Sequence, residues 1–171
     1  QCGGNRMPVS ITAYYGAQLF GVTARVGSHW RLSCDQCMTK SYINDELYFI
    51  WSKGDGSQHY FRKPNSSAAY YEDLSGLSLK LTDNGTYTEI EDKGGTVMRF
   101  ESPQDALDDT GRLLSITDSC GNTNTFQYGD WRLERITDGA GRVTQFTYSG
   151  NMLTGILAPG ETAPVTLEYY N

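Results

Sequence analysis

Asp118 and Asp138 recur at the same place in two similar stretches, each followed three residues later by a glycine, Gly121 or Gly141. Two carboxylates at a defined separation are what glycoside chemistry uses. The repetition points elsewhere. Catalysis does not ask for one acid per repeat, whereas an aspartate opening a tight turn accepts backbone N–H bonds from residues just ahead of it. Both are read as turn caps. A calcium site would need several more oxygen ligands than either turn carries. His29 and His59 are the only histidines, and neither sits in a nucleophile motif. No G-x-S-x-G elbow and no P-loop occurs. Cys34-Asp35-Gln36-Cys37 has the CxxC spacing. A structural zinc needs about four ligands and there is no second CxxC. A redox pair normally opens a helix after a strand, and nothing here reads as that unit. Cys2, Cys34, Cys37 and Cys120 therefore read as partly buried thiols, with a disulfide formed if the protein is secreted. No catalytic residue, cofactor or metal is expected.

The aromatic residues offer the other chemistry. Tyr48, Trp51, Tyr60, Phe61, Tyr70, Tyr71 and Trp131 could stack on sugar rings. In an aromatic-rich β protein they read first as sheet core and cross-strand pairs. Trp131 is the exception, because it sits in a turn, between Asp130 and Arg132, where a large ring has less reason to be buried. Asp130, Trp131 and Arg132 are the candidate ligand-binding residues.

The elements that carry these residues are hairpins. GRLLSITDSCGNTNTFQY from Gly111 to Tyr128 returns as RLERITDGAGRVTQFTY from Arg132 to Tyr148, at an offset of 20 residues. Leu113 matches Leu133, Ile116 matches Ile136, Phe126 matches Phe146 and Tyr128 matches Tyr148. Apolar residues two apart, flanked by Thr and Gln, give the alternation of a half-buried strand. The Asp-to-Gly loops supply turn chemistry. Each copy is a β-hairpin, marginal alone and stable when stacked on neighbours. With decay the pattern extends to Ile90-x-Asp92-x-x-Gly95 with Phe100, and to Leu153, Ile156 and Tyr169. That makes about four related hairpins over 79–171, the clearest copies being 111–128 and 131–148. Upstream, Val9 to Tyr14 alternates as a strand. His29-Trp30-Arg31-Leu32 begins another, carried on towards Met38. Residues 14–28 read as a strand with a loop or one short helical turn. Asn44-Asp45 marks a turn. Leu47–Trp51 pairs with Ser57–Arg62 across Lys53-Gly54-Asp55-Gly56, and Leu77–Leu81 with Thr86–Ile90 across Asp83-Asn84-Gly85. Ala68–Leu74 reads as a short helix or an extended stretch, and Asp105–Asp109 as a helix-tolerant island. The expectation is an all-β chain of about 12 to 14 short strands. Successive antiparallel hairpins would form a curved or spiralling sheet. An N-terminal β region over 1–78 would lead into the repeats as one continuous structural unit.

Gly-Arg-Leu-x-x-Ile-Thr-Asp-x-x-Gly-Asn ending in Phe-x-Tyr resembles the YD repeat of the RHS family. Gly4-Asn5-Arg6-Met7-Pro8-Val9-Ser10-Ile11-Thr12 and His29-Trp30-Arg31-Leu32 resemble the segment that precedes the repeats in such proteins. The Asp that often follows the Tyr is Gly129 in one copy and Ser149 in the other. The resemblance implies a scaffold segment of a large secreted or cell-surface bacterial protein, whose repeats wind into a β-shell around a cargo or toxin polypeptide. It implies an extracellular or cell-surface location. The partners would be further repeats and an enclosed C-terminal domain. Leu113, Ile116, Phe126, Leu133, Ile136, Phe146 and Tyr148 are the expected wall-forming residues, with no catalytic role. The alternative is a carbohydrate- or receptor-binding adhesion module centred on Trp131, with a glycan as partner.

Composition bounds both readings. The 171 residues carry a formal net charge of -6, which argues against a nucleic-acid partner, since that affinity comes from Lys and Arg on phosphates. No apolar run approaches the roughly 18 residues of a membrane span. The opening Gln1-Cys2-Gly3-Gly4 has no initiator Met and reads as the start of an excised piece.

Overall fold

The computed structural model describes residues 6–19, 21–104 and 109–169. Fifteen strands and no helix lie among them. They are β1 (Ala13–Tyr15), β2 (Trp30–Leu32), β3 (Cys37–Ile43), β4 (Glu46–Ser52), β5 (Gln58–Arg62), β6 (Tyr71–Asp73), β7 (Lys80–Asp83), β8 (Tyr87–Glu91), β9 (Val97–Glu101), β10 (Gly111–Thr117), β11 (Thr123–Gly129), β12 (Arg132–Thr137), β13 (Val143–Ser149), β14 (Met152–Leu157) and β15 (Val165–Thr166). The fold is all-β, built of successive antiparallel hairpins. Two compact units are distinguished. One comprises Gln1–Asp35, Gly54–Gly56 and Asn122–Asn171, the other Gln36–Lys53 and Ser57–Gly121.

In the second unit β3 to β10 form an up-and-down ring. Each strand pairs with the next, and β10 returns to β3 through Gly111↔Met38 and Arg112↔Cys37. Eight strands leave an interior that side chains fill. Phe49, Phe61, Phe100, Met38, Leu81, Ile90 and Leu113 fill it and are fully buried. Alternation puts them there: His59 and Phe61 point in from β5 while Gln58 and Arg62 point out. Asn44 and Asp45 form the two-residue turn between β3 and β4 with φ of 50° and 64°. Both residues thus take the left-handed region that the hairpin twist requires. Asn84 Oδ1 accepts the Thr86 and Tyr87 amides at 3.0 and 2.9 Å and shapes the next tight turn.

In the first unit β1 and β2 form a small sheet, and β11 to β15 run as a consecutive antiparallel ladder. The repeat is visible as recurring pairs. Phe126↔Ile136 returns as Phe146↔Ile156, and Tyr128↔Leu133 as Tyr148↔Leu153. Each ladder breaks register once, leaving Glu134 and Thr154 as the extra residues of two equivalent bulges. Leu114 takes the same place in β10 of the other unit. There, Phe100 stands opposite Leu113, the position Tyr128 holds opposite Leu133. Spacing alone would align Phe100 with Phe126. The ladder shifts it by two residues, which keeps its face.

The aspartates are turn caps. Asp138 Oδ1 accepts the Ala140 and Arg142 amides, both at 2.9 Å, and Asp118 Oδ1 accepts that of Cys120 at 2.9 Å. Asp92 Oδ1 does the same for Gly94 and Thr96. Gly95, Gly121 and Gly141 close these turns with φ near +80°, where a side chain is strained.

Several local readings are corrected. The strand at Trp30 stops at Leu32, because the chain turns there with Asp35 N bonded to Leu32 O; β3 is a separate strand. Of the expected strand from Val9 to Tyr14 only Ala13 and Tyr14 lie in β1, which ends at Tyr15, and the chain beyond it turns at Gly16. Within Ala68–Leu74 the extended alternative holds, not the helical one: Tyr71–Asp73 is a strand, set by its pairing with β5 and β7. Of the four cysteines, read as thiols unless the protein is secreted, Cys120 is disulfide-bonded. Of the Asp105–Asp109 island, residues 105–108 lie outside the described residues.

Three carboxylates titrate low. Thr96 N–H donation holds Asp92 below the usual range. Burial opposes ionisation of Glu101 and Asp138, but Arg112 and Arg142 respectively offset it and lower both. Such groups contribute stability that is complete above the ordinary carboxylate pKa of about 4 and is lost as pH falls through their lower folded values. Urea denaturation should therefore give a constant midpoint from pH 7 to about 5 and a falling one below about 4. In Asp138→Asn the fall should be shallower.

Candidate functional site

The first unit holds the sequence-derived site residues and a feature the sequence did not suggest. Bulges at Glu134 and Thr154 leave two backbone amides, those of Leu133 and Leu153, bonded outside the ladder. They donate to Thr23 O at 3.0 Å and Arg25 O at 2.8 Å. Two residues of the segment 22–26, the strap, thus meet two strands of the ladder one repeat apart. Thr23, Ala24 and Val26 are buried there.

Asp35 fixes the strap. Its carboxylate, with no exposed surface, accepts the Val22 amide at 2.6 Å, and the Thr23 amide and hydroxyl at 2.8 Å each. The Arg31 guanidinium lies 3.8 Å from its Oδ2, and Arg31 Nε donates to the Asp35 carbonyl at 2.8 Å. A buried carboxylate is tolerated when its lone pairs are met in this way. Beside it the Cys34 thiol is pushed far up by burial and then by the Asp35 charge, so it is no thiolate nucleophile. Cys34 and Cys37 are both buried.

The repeat tyrosines tie the rungs together. Tyr148 donates its hydroxyl to Leu133 O and Tyr169 to Leu153 O, each at 2.6 Å. Burial, ahead of the charges of Cys34 and Asp35, pushes the Tyr148 phenol well up, so it stays a donor. Among the expected wall residues Leu113, Phe126, Leu133, Ile136 and Phe146 are buried, while Ile116 and Tyr148 are half-buried.

Asp130, Trp131 and Arg132 sit where β11 turns into β12. Asp130 has φ of 55°, matching Gly150 of φ 56° one repeat later. Trp131 is 38% exposed, with the Arg25 guanidinium 5.3 Å from its ring centroid. Arg132 turns away from it. Its Nη1 donates to Gly150 O at 2.5 Å, and its guanidinium lies 5.3 Å from the Tyr148 ring. Trp131 and Arg132 thus share a turn but make different contacts. Trp131 faces Arg25, which also lines a cavity of ≈ 360 Å³ with Gly21, Gly27, Ser28 and Met152.

The histidines divide. His29 is on the surface, its Nδ1 2.8 Å from Ala17 O, and its neighbour Trp30 packs against Tyr15 with centroids 5.2 Å apart. His59 is inside the second unit, stacked on Trp51 at 5.0 Å, with Nδ1 3.6 Å from Asp73 Oδ1. Neither of those two atoms has a hydrogen-bond partner. Among the described residues no three His, Cys, Asp or Glu side chains gather as a metal site, and no helix is long and apolar enough to cross a membrane.

Asp35, Thr23 and Arg25 escaped the sequence reading. Asp35 was visible only as the middle of a CxxC, and the strap residues have no periodicity because their carbonyls, not their side chains, do the work. No family model matches the chain, and no curated protein is similar to it.

Asp35→Ala leaves two strap amides and the Thr23 hydroxyl buried without their acceptor and removes the carboxylate beside the Arg31 guanidinium. It should cost about 3–5 kcal/mol, the range for breaking a buried ion pair from one side. Arg132→Ala, by comparison, loses a surface contact and should cost under about 1 kcal/mol. Chemical denaturation of the two variants measures the difference.

Proposed function

We propose that this chain is a structural wall segment of an RHS/YD-repeat type protein, with no catalytic role of its own. The observation that supports it best is the recurrence of one rung. The Phe↔Ile pair, the bulge, the leucine amide bonded to the strap and the tyrosine hydroxyl on the leucine carbonyl all return one repeat later. That is how a repeat architecture builds a continuous core from units that are marginal alone. In this reading the chain belongs to a larger secreted or cell-surface bacterial polypeptide. Its partners are further repeats and an enclosed C-terminal domain, such as a toxin. The disulfide at Cys120 fits an oxidising compartment.

Limited proteolysis of the parent polypeptide tests the reading. The enclosed sequence should resist cleavage in the intact protein and become sensitive in Ile136→Asp, which puts a charge into the wall. Equal cleavage of both would contradict it.

The exposed Trp131 face favours a second reading, an adhesion module that binds a neutral glycan against that ring. It predicts saturable binding on a glycan array that Trp131→Ala abolishes with the circular dichroism spectrum unchanged. The wall reading predicts no such binding.

A further inference from the structure

The first unit carries a cavity of ≈ 360 Å³, lined by Gly21, Arg25, Gly27, Ser28 and Met152. That volume falls within the roughly 300–1,000 Å³ of small-ligand sites. Among the described residues no carboxylate lines it, although the chain carries a formal net charge of -6. Its donors are unspent. The Arg25 carbonyl accepts the Leu153 amide, but among the described residues the Arg25 guanidinium makes no hydrogen bond and no ion pair, and the Ser28 hydroxyl makes no hydrogen bond. The guanidinium instead lies over the Trp131 ring, 5.3 Å from its centroid. Stacking on an aromatic face occupies the flat side of a guanidinium. It leaves the N–H groups at the edge free, in the fork that matches a carboxylate.

The rest of the cavity says what carries that carboxylate. Met152 contributes a polarizable thioether, which makes favourable contacts with aromatic rings. Tyr169, 39% exposed, lies at Gly27, where a Cβ would be 3.4 Å from its Cε1. Gly21 and Gly27 line the space with bare backbone. Arg25 is the one cation of the lining, which suits a monoanion rather than a phosphate group of roughly two charges. We propose that this cavity binds a small aromatic monocarboxylic acid, its carboxylate on the Arg25 fork and the Ser28 hydroxyl and its ring towards Met152 and Tyr169. The proposal rests on neither reading above, since its ligand is neither an enclosed polypeptide nor a neutral glycan.

Calorimetry with phenylpropionate and indolepropionate tests it. The comparison probes are the corresponding amides, phenyl phosphate and a short peptide ending in a free phenylalanine carboxylate. The expected result is saturable binding of at least one of the two acids and none of its amide. Arg25→Gln should weaken that binding at least about tenfold, the scale of a lost charge-assisted hydrogen bond. Arg25→Lys keeps the charge without the fork and should recover it only in part. The Arg25 side chain is exposed and its bond to Leu153 runs through the carbonyl, so both variants should keep the parent circular dichroism spectrum. Equal binding of the amides, tighter binding of phenyl phosphate or of the peptide, unchanged affinity in Arg25→Gln, or no saturable binding of either acid would each overturn the proposal.

Discussion

The Asp35 carboxylate is the contact on which the first unit depends. It lies out of water and takes two backbone amides and a hydroxyl from Val22 and Thr23. Without it those donors would be buried and unmet, and the strap would have no reason to lie flat against the ladder. With it, Thr23 and Arg25 present their carbonyls to Leu133 and Leu153. The bulges at Glu134 and Thr154 are the other half of the arrangement. A regular ladder bonds its amides between strands; a bulge leaves one over, and the strap accepts it. A local irregularity, repeated every 20 residues, is what lets an irregular segment lock regular ones.

The hairpins were legible because turn chemistry and alternation are local. Asp92, Asp118 and Asp138 cap their turns as their spacing from Gly95, Gly121 and Gly141 indicated, and Phe126, Leu133, Ile136 and Phe146 face the core. The return of β10 to β3 was not legible. It depends on the two pairs Gly111↔Met38 and Arg112↔Cys37, which are far apart in sequence and carry no motif. The strap was hidden for the same reason, since its bonds are backbone bonds to distant partners. At the Trp131 turn the sequence located an exposed ring but not its company. Arg25 faces that ring, whereas the neighbouring Arg132 is spent on Gly150 and Tyr148.

The two units use buried polar groups differently. In the first, Asp35 is fully satisfied and organises its surroundings. In the second, His59 Nδ1, Asp73 Oδ1 and Thr88 Oγ1 are buried without hydrogen-bond partners in an otherwise apolar interior. Asp73 still serves a turn, its Oδ2 accepting the Leu77 amide at 3.0 Å. The first arrangement specifies one geometry, while the second costs free energy at each unmet atom.

Amide hydrogen exchange at Leu133 and Leu153, compared between the parent chain and Asp35→Asn, tests this most directly. Asparagine keeps the size but replaces one acceptor oxygen with a donor. If the strap is the lock, both amides exchange slowly in the parent and speed up together in the variant, while ladder amides such as that of Thr144 change little. Unchanged protection at Leu133 and Leu153 in a variant whose strap has been released would show that the rungs hold without it, and would contradict the account.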